Sequence, residues 1–179
     1  MDHSSHHHES TAAVSHKSSS PKKIKIGLYT VSSSRFRDKL LQDESGNVAK
    51  EILEKAGHEF EYSLIDDDKA LIRYSLYQSF LKYNCDAVIF LGGTGLSPRD
   101  VTVEAIVPLL DKTLDGFGEV FRRISYDSIG SPALMTRAIA GIVDDKVVFC
   151  LPGSPDAVKL GMDLILKELA HAVFIAKGS

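Results

Sequence analysis

The sequence predicts an α/β domain built around a mostly parallel sheet, and three observations carry that expectation. Short apolar runs alternate with longer amphipathic ones in the order β-α-β-α-β from Ile24 to Leu91. One short run, Ala87-Val88-Ile89-Phe90-Leu91, is apolar without interruption, as a central strand covered on both faces requires. A glycine-rich turn, Gly92-Gly93-Thr94-Gly95, follows it directly, where an α/β chain leaves the carboxyl edge of its sheet.

Each element has its own signal. Ile24 to Thr30 reads as the first strand, followed by a polar stretch from Ser32 to Ser45. A helix from Gly46 to Ala56 carries the stripe Val48, Ala49, Ile52, Leu53 and Ala56, with Gly57 placed to end it. Phe60 to Ile65 forms a strand, and Lys69 to about Tyr83 a helix burying Leu71, Leu76 and Phe80. Beyond the Asp86 to Leu91 strand come helical stretches at Thr102 to Leu110 and Gly118 to Ser125. Ala138 to Val143 and Val147 to Leu151 make a hairpin turning at Asp144-Asp145. Ser154 as N-cap and Pro155 at the first helical position open a final helix through Val158, Met162, Ile165 and Leu169.

Composition narrows the function classes. The chain has 179 residues, 44% hydrophobic and 25% charged, which suits one globular domain. No apolar run approaches the roughly 20 residues that span a bilayer. A formal net charge of -3 gives no general attraction to nucleic acid. Neither membrane nor nucleic acid is expected as a partner, and the anticipated ligand is small. Cys85 and Cys150 lie in apolar strand candidates outside any Cys-x-x-Cys motif and read as buried thiols of a reducing compartment. Residues 1–23 are polar and cannot bury enough surface to offset ordering entropy, so a disordered tail is expected there and the domain spans 24–179. The tail's His3, His6, His7 and His8 have metal-binding side chains but read as solvated. It has no apolar secretion-signal core, which points to a cytoplasmic location.

The candidate chemistry gathers at predicted strand ends. In Gly92, Gly93, Thr94 and Gly95, the absence of Cβ atoms lets backbone N–H groups approach an anion, and the next helix adds a favourable dipole. The pattern is neither Gly-x-Gly-x-x-Gly nor a P-loop, and such a turn also serves purely structural ends. Arg99 and Asp100 lie just beyond it, able to meet phosphate and hold Mg²⁺, although Asp100 or Thr102 also suits a helix N-cap. Asp66-Asp67-Asp68 ends another strand, where three acids complement a helix dipole or contribute to a metal-nucleotide site. Leu151-Pro152-Gly153-Ser154-Pro155 places another glycine and helix start on the same edge, and also reads as a rigid helix start. His58 and His171 have no sequence partners that suggest chemistry.

The stretch from Gly92 to Ala105 closely resembles the signature of the MoaB/MogA molybdenum-cofactor biosynthesis family, which includes related domains of gephyrin. The resemblance runs from Ile24 onward through Ser32, Gln42 to Gly46, Asp66 to Asp68, Gly116 to Arg122, Thr136 to Gly141 and Leu151 to Pro155; Gly116 to Arg122 leans toward the MoaB branch. It implies a three-layer α-β-α sandwich with a molybdopterin-binding fold. It also implies a Mg²⁺-dependent molybdopterin adenylyltransferase with ATP as substrate. By the resemblance, Asp67 and Asp100 are catalytic and hold Mg²⁺, while Gly92, Gly93, Thr94, Gly95 and Arg99 bind nucleotide phosphate. Ser32, Thr136, Arg137, Pro152, Gly153 and Ser154 are the implied molybdopterin site. Asp66 stands where many members have Pro, and Thr136 where many have Ser, whose hydroxyl it keeps. The intact Pro98-Arg99-Asp100 segment favours activity; the alternative is a non-catalytic molybdopterin-binding or carrier protein. A homotrimer or hexamer and a downstream molybdate-insertion enzyme are the implied partners.

Overall fold

A computed structural model describes residue 21 and residues 23–178. The tail and its histidines, expected to be disordered, lie almost wholly outside the described residues. The elements are β1 (Lys25–Val31), α1 (Ser33–Arg37), α2 (Glu44–Lys55), β2 (Glu59–Ile65), α3 (Lys69–Leu81), β3 (Ala87–Leu91) and α4 (Thr102–Ile106). A 3₁₀ turn (Val107–Leu109), β4 (Lys112–Thr113), α5 (Asp115–Ile129), a second 3₁₀ turn (Ser131–Met135), β5 (Ile139–Val143), β6 (Lys146–Leu151) and α6 (Pro155–Ala176) follow.

The strands form a six-stranded sheet in the order β2-β1-β3-β6-β5-β4. β2, β1, β3 and β6 run parallel, while β5 and β4 add an antiparallel margin. The pleat of β3 distributes its residues between two cores. Ala87, Ile89 and Leu91 pack with α2, α5 and α6, whereas Val88 and Phe90 pack with α3 and α4. Helices therefore cover both faces, and the expected three-layer α/β architecture is present. All five β3 residues are fully buried; at about 1.5–3 kcal/mol per large apolar side chain, this strand contributes strongly to stability. Cys85 and Cys150 are buried free thiols, as expected, and burial pushes both pKa values up, that of Cys85 to about 11. Among the described residues, no helix is long and apolar enough to cross a membrane.

Several boundaries differ for identifiable reasons. The helix expected from Thr102 to Leu110 ends at Ile106 and tightens into the first 3₁₀ turn, because Pro108 has no N–H to continue the i→i−4 ladder. α2 begins at Glu44, before the expected Gly46, because the Asp43 carboxylate caps it by accepting the Gly46 N–H at 3.0 Å. α5 is longer at both ends than expected: Phe117 and Phe121 pack on the core, outweighing the low helix propensity of Gly116 and Gly118. α1 lies within the stretch read as merely polar, capped by Ser32. The two-residue β4 had no sequence signal, being too short to show alternation.

Candidate functional site

The four parallel strands end on one edge, and the turn after β3 lies near its middle. Gly92 still donates its N–H to Leu151 O at 2.9 Å while its φ reaches 103°. A side chain there would collide with the Val31 carbonyl oxygen of β1, and Gly153 packs against Gly92 from beyond β6. Three strand ends thus converge where only glycine backbone fits.

The carbonyls of this turn are taken up one after another. Thr102, fully buried at the start of α4, donates its hydroxyl to Gly92 O and its N–H to Gly93 O, both at 2.9 Å. Arg137 donates Nε to Thr94 O at 3.0 Å and Nη2 to Gly95 O at 2.6 Å. Its Nη1 and Nη2 also grip the Glu104 carboxylate. Arg137 holds the Glu104 carboxyl below its ordinary pKa, chiefly through that hydrogen bond. The carbonyls of residues 92–95 are therefore all paired, whereas the N–H groups of Gly93, Thr94, Gly95 and Leu96 have no partner among the described residues. Consecutive N–H groups without protein partners at the head of a sheet are suited to serve as a nest for an anion.

The nest opens into a cleft of about 440 Å³ lined also by Ser32, Asp67, Arg99, Asp100, Thr136, Pro152 and Gly153. Asp67 Oδ2 accepts the Ser33 N–H at 2.6 Å and its hydroxyl at 2.9 Å; Asp100 Oδ2 accepts the Ser97 N–H at 3.0 Å. Each aspartate retains an Oδ1 with no hydrogen bond to described residues. The N-cap explanation for Asp100 and Thr102 fails, since Val101 occupies that position and no side chain caps α4. The three neighbouring acids divide their work: Asp68 caps α3 by accepting the Leu71 N–H at 2.8 Å, and Asp66 meets Arg37 at 3.6 Å, leaving Asp67 for the cleft.

Two residues of the expected ligand set stand apart from this lining. Arg137 is engaged by the turn carbonyls and Glu104, and lines a neighbouring cavity of about 310 Å³ with Lys69 and Leu96. It braces the nest. Ser154 accepts the Ala157 N–H at 3.3 Å as the N-cap of α6, the rigid helix start its sequence had also suggested. His58 accepts the Ile24 N–H at 3.3 Å through Nδ1, a structural contact.

Sequence reasoning missed several participants. Ser33, Arg35 and Met135 line the cleft, and the fully buried Ser45 donates its hydroxyl to Gly153 O at 2.5 Å. A serine run directly after a strand was a usable signal, because such hydroxyls bond to nearby backbone and start short helices. Ser45 offered none, since its acceptor is 108 residues away. Beside it, Asp43 accepts from Tyr62 as well as capping α2. Burial, reinforced by that carboxylate, pushes the Tyr62 pKa up to about 12.

The donor set suits Mg²⁺, which takes one or two carboxylates and fills its remaining positions with water and phosphate oxygens. Asp67 and Asp100 supply two such carboxylates in one cleft. Among the described residues no group of three or more His, Cys, Asp or Glu could form a protein cage.

Known proteins agree with this architecture. Residues 27–171 match the family model described as "Probable molybdopterin binding domain". The chain is similar to molybdenum cofactor biosynthesis protein B of Bacillus cereus, 43% identical over 166 residues, with 91% of this chain and 96% of that protein covered. It is also similar to the molybdopterin adenylyltransferase of Pyrococcus furiosus, 42% identical over 160 residues, covering 87% and 93%. A crystal structure of a molybdenum cofactor biosynthesis protein B aligns with a TM-score of 0.82 and 43% identity, covering 89% of this chain and 99% of that one. On the matched span, the shared fold and this degree of identity, the chain belongs to the molybdopterin-binding domain family of molybdenum cofactor biosynthesis.

Proposed function

We propose that this protein transfers AMP from ATP to molybdopterin, giving adenylylated molybdopterin and pyrophosphate. The supporting observation is the nest at 93–96, whose four N–H groups have no partner among the described residues while every carbonyl of residues 92–95 is occupied. The similarity to the Pyrococcus furiosus protein adds the reaction type.

In this reading an oxygen of the terminal phosphate of molybdopterin bonds to the α-phosphorus of ATP, and the bond from that phosphorus to the bridging oxygen breaks. Pyrophosphate leaves with the electron pair. No covalent enzyme intermediate is required, so the protein's task is to bring two anions together and offset their repulsion. The nest receives phosphate oxygens, and Arg99 adds positive charge at its mouth. Asp67 and Asp100 would hold Mg²⁺, which when bound neutralises phosphate charge. Ser32, Thr136, Pro152 and Gly153 border the same cleft and face the pterin substrate in this assignment, with Arg137 acting through the turn it braces. Purified protein given molybdopterin, ATP and Mg²⁺ is expected to form adenylylated product and pyrophosphate; binding of both substrates without product would instead indicate a carrier.

We also infer self-association into a homotrimer or a hexamer built from two trimers. α5 and the following turn expose Val120, Tyr126, Ile129 and Leu134, and an apolar hollow of about 270 Å³ lies between α5 and α6. Exposed apolar surface of this kind favours burial against another copy. Light scattering is expected to report three or six chains, and a monomer at micromolar concentration would overturn the assignment. Residues 24–179 form the working domain in this account, in the cytoplasm, with transfer onward to a molybdate-insertion enzyme.

A further inference from the structure

The arginines at the cleft are committed to different degrees. Arg137 has Nε, Nη1 and Nη2 on Thr94, Gly95 and Glu104. Arg35, from α1, is half-buried, lines the cleft, and uses Nε alone, on the Gln42 carbonyl at 3.2 Å. Its two terminal nitrogens meet no acceptor among the described residues, and no carboxylate pairs with it, while nearby Arg37 has Asp66. A guanidinium held at the cleft with its terminal donors unmatched by protein acceptors is left with two nitrogens to offer an anion. The bond from Nε fixes part of the fork, so less freedom is lost when the remaining donors engage planar or tetrahedral oxygens.

We propose that Arg35 is a phosphate-binding residue, contacting non-bridging phosphate oxygens of a bound substrate through Nη1 and Nη2. This rests on the adenylyltransferase reading, which brings both the polyphosphate of ATP and the phosphate of molybdopterin into the cleft. The two sources share one chemistry. Full-length Arg35→Gln and Arg35→Lys proteins, with the parent as reference, would be titrated calorimetrically with inorganic pyrophosphate, with ATP and Mg²⁺, and with molybdopterin. Arg35→Gln is expected to weaken at least one of these probes about tenfold or more, since hydrogen bonds to charged groups are the strong ones. Loss confined to ATP and pyrophosphate assigns the contact to the nucleotide, and loss confined to molybdopterin assigns it to the pterin phosphate. Arg35→Lys should recover part of the affinity, and the salt dependence of binding should flatten in Arg35→Gln, neither of which follows from a merely structural bond to Gln42. Affinities equal in parent and Arg35→Gln for all three probes, including undetectable binding in both, would overturn the proposal. A parent that transfers no AMP, yet loses pyrophosphate affinity on Arg35→Gln, would sink the enzymatic reading while upholding Arg35.

Discussion

The two walls of the cleft are built on different terms. One wall, the 92–102 turn, is clamped by strand ends, by buried Thr102 and by Arg137. The other, from Ser32 to Asp43, carries a five-residue helix with no buried side chain and leaves Leu40 91% exposed. Its anchors are hydrogen bonds and an ion pair rather than buried apolar side chains: Ser32 N–H on Ile65 O, Ser33 on Asp67, Arg37 on Asp66 and Tyr62 on Asp43. The clamped wall fixes its amide donors before any ligand arrives, and in the proposed reaction this preorganisation is what would make electrostatic stabilisation of phosphate effective. The lightly held wall can adjust to a ligand at little cost, because few buried contacts resist its movement. Asp67 joins the two, since its Oδ2 holds Ser33 while its Oδ1 lies 3.1 Å from where a Gly93 Cβ would stand.

That contrast is open to direct attack. The largest effect is expected from Asp67→Asn and Asp100→Asn, each of which keeps side-chain shape but removes a charge that the proposed reaction requires beside polyphosphate. Adenylyl transfer should fall by about two orders of magnitude or more in either variant, with circular dichroism and pterin affinity close to the parent. Near-normal turnover at saturating Mg²⁺ in both would remove the aspartates from the mechanism.

Next comes Gly92→Ala on the clamped wall. Its φ of 103° and the Val31 carbonyl leave no room for a methyl group, so chemical denaturation should show a loss of about 2–4 kcal/mol. Ser45→Ala should cost less, about 1–3 kcal/mol, by leaving Gly153 O without its buried donor. Leu40→Ser, on the lightly held wall, should stay within about 0.5 kcal/mol of the parent. A Leu40 effect as large as that of Gly92 would erase the distinction between the walls.

Acidity sharpens the comparison from another side. The Glu104 carboxyl is depressed by its bond to Arg137, so the stabilisation it gives is present above its ordinary value of 4.5 and is lost as pH falls through the lower folded-state value. Phosphate affinity should therefore decline below pH 4.5 more steeply in the parent than in Glu104→Gln, measured by titration with pyrophosphate.

The same division decided what could be read from the sequence. The β-α-β-α-β half announces itself through runs such as Ala87 to Leu91, and the glycine turn follows from position alone. Local chemistry also identified Ser154 as a cap and Asp144-Asp145 as a turn, where Asp144 takes a φ of 54°. What stayed hidden depends on distant partners. Nothing near Arg137 reveals that it serves carbonyls 42 and 43 residues earlier, and nothing near Ser45 points to Gly153. α1 was hidden because it buries no side chain and so leaves no periodic apolar stripe.

The nest itself can be tested most directly by following its amides by nuclear magnetic resonance while ATP and Mg²⁺ are added. The N–H protons of Gly93, Thr94, Gly95 and Leu96 should move downfield together in a saturable manner, as free donors acquire phosphate oxygens. Saturable ATP binding that leaves these four signals unmoved while shifting amides elsewhere would contradict the account.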